Sequence, residues 1–322
     1  MGSKGAREVL FARLAVDGIG ALQVGLAVAP FLTGQGRSAP PDRAAGRADR
    51  RAGPADRAAG RAVARRTAAL GGLTGAAWAG AALLALWLGA AEAGGVDAFR
   101  LRPGVLADFA TEVAAGRALL LTLGCALLVA VTRLVSFRAS AGGRAEPGVL
   151  GQPEPVIGFA LLGVVAGPVT GHAGGHLGHG TAVPVLAVHV AAACLWAGGL
   201  AALALVCRGR PGLLTDLALP RFSRLAGYCA GCVLLTGVLS AAFQLPAPSA
   251  LLDSEYGRLV LAKAAGFAVV LGLGWWTRRR LAEGNPRLTG RVALELVWMA
   301  GVFAVAAALA EAPAAAIRGT GA

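Results

Sequence analysis

Apolar residues in this chain come in blocks of about twenty, and every second block is followed by a cluster of arginines. A helix needs roughly 20 apolar residues to cross the hydrocarbon core of a bilayer. Only helices or closed barrels satisfy their backbone there, and the blocks lack the strict alternation of a barrel strand. The predicted fold is therefore all-α, a polytopic membrane helix bundle. About eight transmembrane helices can be drawn, near residues 9–32, 67–91, 115–136, 155–170, 183–206, 222–243, 257–277 and 292–311. The fourth is the shortest, with Pro153 and Pro155 before it and Pro168 interrupting its end. The first follows Lys4 and Arg7 as a signal peptide would. It is too long for a signal core and contains Asp17 and Gln23, so we read it as a retained span whose polar groups face the bundle interior.

The net charge of +13 is a topological signal more than a nucleic-acid one, because its arginines sit in short connections without interleaved aromatics. They concentrate in alternate loops: Arg37 to Arg66, Arg133 to Arg144, Arg208 to Arg224 and Arg278 to Arg291. The positive-inside rule places those loops in the cytoplasm and both termini on the extracytoplasmic side. The first arginine loop, about residues 34–66, repeats DRAAGRA at Asp42 and Asp56 and has too few large apolar residues for a core, so disorder is expected. Its basic residues suit weak contact with anionic lipid.

The chain divides into residues 1–150, with three spans, and 151–322, with five. LAVDGIGALQVGLAVA from Leu14 is similar to LAVHVAAACLWAGGLAALA from Leu186, and EVAAGRALLLT from Glu112 to EYGRLVLAK from Glu255. Two four-helix halves related by duplication would explain this, as would the general likeness of alanine- and leucine-rich helices.

All four histidines, His172, His176, His179 and His189, fall in one short stretch at the junction of the fourth and fifth predicted spans. Neutral imidazole is a good ligand for Cu, Zn, Ni or haem iron, and the surrounding glycines would let the chain wrap an ion. Equally, His172, His176 and His179 are what a solvated loop would contain. His189 differs because it lies inside a span, about 8 Å from the surface at 1.5 Å per residue, where a polar group is a functional candidate. The charge pattern puts this loop on the extracytoplasmic side.

Further candidates for an ion path follow. Trp196 shares a helix face with His189, either as packing against the small Gly198 and Gly199 or as a cation-attracting ring. Cys229 and Cys232 lie one turn apart on the sixth span and could take Cu(I) from Cys194 at mid-membrane, although buried cysteine is usually an inert small hydrophobe. Five cysteines without secreted-domain spacing do not suggest disulfides. Lys263 lies about two turns into the seventh span, after Glu255 and Tyr256, in a position to snorkel outward.

The assembled motifs resemble the copper-resistance protein D (CopD) family of bacterial inner-membrane proteins. The resemblance rests on TGHA from Thr170, HVAAACLWAGGL from His189, RFSRLA from Arg221, LTG from Leu235, EYGRLVLAK from Glu255 and RRRL from Arg278, in the family's order. It implies copper handling at the cytoplasmic membrane, usually inward transport alongside extracytoplasmic copper-binding partners, with no enzymatic activity. It carries over His172, His189, Trp196, Tyr256 and Lys263 as motif positions. His176 and His179 are additions of this chain. Two other functions fit the histidines: a haem-binding redox subunit with His172 and His189 as axial ligands, and an assembly factor for a copper enzyme. The sequence has no GxxxxGK[ST] phosphate loop, so ATP-driven transport is not expected.

Overall fold

The computed structural model of the protein describes residues 2–34, 54–141, 153–170, 182–208, 213–244, 249–253 and 255–282. They form α1 (Gly2–Leu32), α2 (Pro54–Ala93), α3 (Pro103–Glu112), α4 (Ala114–Ala141), α5 (Pro153–Thr170), α6 (Ala182–Val206), α7 (Leu219–Gln244), the single turn α8 (Ala250–Asp253) and α9 (Glu255–Ala282). Five of them, α1, α2, α4, α6 and α7, are long and apolar enough to cross a membrane. The apolar parts of α5 and α9 are shorter, Glu154–Thr170 and Val260–Trp276. This is a helical membrane bundle, as the apolar blocks predict. The span expected near 292–311 lies outside the described residues.

Two segments differ from the sequence reading, and a third carried no structural expectation. Helix α2 starts at Pro54, so residues 54–66 of the loop expected to be disordered are helical. Alanine and arginine are strong helix formers, and proline at the first position loses no hydrogen bond. The second connection is also structured. Asp97 accepts the Phe99 N–H at 2.9 Å to cap a 3-10 turn at Ala98–Arg100, and Pro103 opens α3, whose Phe109 and Ala110 are buried. Finally, Pro168 does not interrupt α5, which runs on to Thr170.

Helix α1 is the central element, packed against α2, α5 and α6. Its closest crossing is with α6, where Gly25 and Gly198 bring backbone against backbone. A Cβ on Gly198 would run into the Ala21 carbonyl, and one on Gly25 into that of Gly198. Small residues permit such approach where helices associate by packing rather than by hydrophobic exclusion. On the outside of the bundle, Leu83, Leu84, Leu120, Leu121, Leu127 and Leu128 are exposed, as lipid contact requires.

Arginines complete the backbone at one end of the bundle, called here the arginine end. Pro30 lies inside α1 and has no N–H, so the Leu26 carbonyl lacks its usual helical donor. The buried Arg133 on α4 supplies one, its Nη2 donating to Leu26 O at 3.2 Å. Gln23 is also buried and donates to Gly71 O on α2 at 2.8 Å, meeting the expectation for a polar residue in the first span. Asp17 does not meet it and lies exposed on the bundle surface. Helix α1 then ends with Gly34 at φ +79°, and Arg221 Nη1 at the start of α7 donates to Phe31 O at 3.3 Å. Arg66 does the same for Arg208 O after α6, at 2.8 Å.

The Arg133 contact yields a prediction. A hydrogen bond from a charged donor is worth about 1.5–3 kcal/mol. Arg133→Met should therefore lower the melting temperature in detergent, and the loss should shrink when Pro30→Ala restores the helical donor to Leu26 O. Additive effects in that double-mutant cycle would reject the assignment.

Candidate functional site

His189 sits two turns into α6, counted from the end opposite the arginines. Thr236 lies about two turns before the end of α7, and Lys263 about two turns into α9. At 1.5 Å per residue all three are roughly 11 Å from the same ends of their helices. Their chain separation hides a common level.

Two of these residues are in direct contact. His189 is half-buried, and its Nδ1 is 2.9 Å from Oγ1 of the buried Thr236. The Thr236 hydroxyl also reaches back along its own helix to the Cys232 carbonyl at 2.5 Å, and more weakly to Val233 O at 3.3 Å. Gly237 lies beside the ring. Lys263 is at the bundle surface and near enough for its charge to act on His189. The contact is thus built by α6 and α7, with the Lys263 ammonium of α9 at the same depth.

Two turns deeper, Trp196 is 7% exposed and meets Phe267 of α9 edge to face, with centroids 5.8 Å apart and planes at 85°. It packs in a core cluster with Leu200, Phe222, Cys229 and Val270, the surroundings that its packing reading expects. Trp196→Ala should cost about 3–5 kcal/mol, as large aromatic truncations in cores do. Trp196→Phe should recover most of that loss in thermal melts. A Trp196→Ala variant that melts with the wild type would reject the packing role.

The thiols are separated by the packing. Cys194 is buried in the cluster centred on Trp78 and Val164, whereas Cys229 belongs to the cluster around Trp196. Cys232 is exposed. Among the described residues, no group of three or more His, Cys, Asp or Glu forms a metal-holding cluster. His172, His176 and His179 lie outside the described residues, and Tyr256 is placed only as part of the first turn of α9. Sequence reasoning noted LTG as a motif but gave Thr236 no role. A hydroxyl inside an apolar span, on the same helix face as Cys232, was the signal available.

The geometry sets an imidazole, held by a neighbouring helix, inside the membrane portion of a bundle. Residues 216–309 match the copper resistance protein D family. The resemblance read from the motifs stands. The matched stretch contains RFSRLA, LTG, EYGRLVLAK and RRRL, and so Thr236, Tyr256 and Lys263. TGHA and His189 precede it, and it is the contact with Thr236 that ties His189 to the matched segment. No curated protein and no solved structure matches the chain. The five apolar helices mark a multi-pass membrane protein, and its residues 216–309 are similar to the copper resistance protein D family.

Proposed function

We propose that this protein carries copper ions across the membrane its helices span, with His189 as the ligand inside the bundle. The observation that supports this most is the His189–Thr236 contact, which joins a coordinating side chain to the segment resembling a copper-resistance family. Imidazole suits copper, and a polar side chain held within a span is costly, which makes it a functional candidate. His172 is the nearest motif histidine in sequence and would capture the ion before His189, with His176 and His179 adding local concentration. By the distribution of arginines, this end faces the extracytoplasmic side of a bacterial cytoplasmic membrane. An extracytoplasmic copper-binding protein is the natural donor.

The protein is a carrier in this reading and catalyses no covalent step. Lys263 opposes a second positive charge near His189, so copper entering there would displace the ammonium toward the membrane surface, where its flexible stem reaches. Cys229 and Cys232 remain candidates for the inward part of the path, while the burial of Cys194 in a different cluster gives no support to a relay through it.

Flux into liposomes tests the proposal. Vesicles containing the wild-type chain should accumulate externally supplied copper faster than empty vesicles, and the His172→Ala, His189→Ala variant should fall to the empty-vesicle rate. Equal flux through variant and wild type would reject the proposed route. Absence of flux through either, with copper still bound by wild type, would indicate an assembly factor.

A further inference from the structure

The hydrogen bonds around Thr236 determine which nitrogen of His189 is available to a metal. A threonine hydroxyl has one hydrogen. Its short contact to the Cys232 carbonyl, 2.5 Å, engages a group that can only accept, so the hydroxyl donates there. The same oxygen then faces His189 Nδ1 at 2.9 Å as an acceptor, so Nδ1 carries a proton and donates it. In a neutral imidazole the second nitrogen, Nε2, is left with its lone pair free. We propose that Thr236 is a positioning residue that holds His189 in the Nδ1–H form and presents Nε2 as the nitrogen that binds copper.

The inference rests on the copper reading of His189 and adds to it a residue on another helix, 47 positions away. Metal-ligating histidines commonly donate their other N–H to an oxygen acceptor, which fixes ring orientation and tautomer. Here the acceptor is a hydroxyl whose own hydrogen is committed to the α7 backbone. The chain Nδ1–H to Thr236 Oγ1 to Cys232 O has one direction, so the ring cannot reverse roles without breaking the bond along α7. Binding at Nε2 leaves this chain intact, whereas binding at Nδ1 would require expelling Thr236.

The test uses the full-length protein in detergent with Cu(I) supplied from a chelator buffer, comparing wild type with Thr236→Val, Thr236→Ser and His189→Ala. Valine keeps the shape and removes the hydroxyl. Loss of an outer partner of this kind weakens metal binding about 10- to 100-fold, which is the expected effect of Thr236→Val. Thr236→Ser should bind within a few-fold of wild type. Nitrogen-15 spectra of histidine-labelled protein supply a readout that a purely structural role would not move. The resonance lost in His189→Ala should show Nδ1–H in the metal-free wild type and shift toward Nε2–H in Thr236→Val. If His189→Ala loses copper but Thr236→Val binds as tightly as wild type, the inference fails while the copper reading survives. An Nε2–H signal in the wild type overturns it equally. Undiminished binding by His189→Ala would reject both.

Discussion

Replacing Gly198 with valine should leave little folded protein in the membrane. The position an added side chain would take is already filled by the backbone carbonyl of Ala21, with Gly25 close by on the same helix. Side chains can rotate away from an intruding group, but a carbonyl inside a helix cannot move without carrying its helix along. Helices α1 and α6 would have to separate at their tightest crossing, where the fully buried Leu26, Ala29, Ala202 and Val206 pack together next to it. Overpacking commonly costs 1–3 kcal/mol, and a backbone obstacle puts this case at about 3 kcal/mol or more. Detergent-extracted Gly198→Val should show roughly tenfold less monodisperse material on gel filtration, with Gly198→Ala between it and wild type. Valine protein with normal yield and melting temperature would mean that α1 and α6 do not cross here.

Much of this architecture is legible in the sequence because a bilayer leaves few options. An apolar block of sufficient length must be a helix, and five such helices overlap the predicted spans. What the blocks do not reveal is how helices meet. The start of α2 at Pro54 was hidden because an alanine- and arginine-rich segment suits disorder as well as helix. Its Arg66 gains a partner only when the end of α6 arrives. Arg133 is similar: a charge near the end of a span suggests an interfacial residue, whereas it is buried and answers a vacancy left by Pro30 on a different helix. Asp17 and Gln23 looked equivalent as polar residues in one span, yet one face of α1 is buried and the other exposed.

The site was half legible for the same reason. His189 stood out as a histidine inside a span, and Trp196 and Lys263 as motif positions. Their roles diverge once three helices are assembled. Trp196 is core, Lys263 is at the surface, and the residue that touches His189 is Thr236, whose motif carried no chemical meaning by itself. The relation among cysteines followed no sequence rule either, since neighbouring helix faces assign Cys194 and Cys229 to different clusters.

His189→Ala is expected to have the largest functional effect of any single substitution. It removes the one histidine found inside the described bundle and leaves Thr236 bonded along its own helix to Cys232, so the backbone around it has no reason to change. The ring is half-buried, which keeps the folding penalty small. Loss of function should therefore be separable from loss of fold. Copper binding should fall at least tenfold while helical content and melting temperature stay near wild type. The complementary Thr236→Ser substitution should preserve binding, so the two variants distinguish a lost ligand from a disturbed seam between α6 and α7.

Elemental analysis of purified protein is the most direct measurement of the central claim. Wild type loaded with copper and freed of excess should retain close to one copper per chain above the amount retained by His189→Ala, with no Soret absorption. Equal copper in wild type and His189→Ala, or a haem spectrum with no copper, would contradict it.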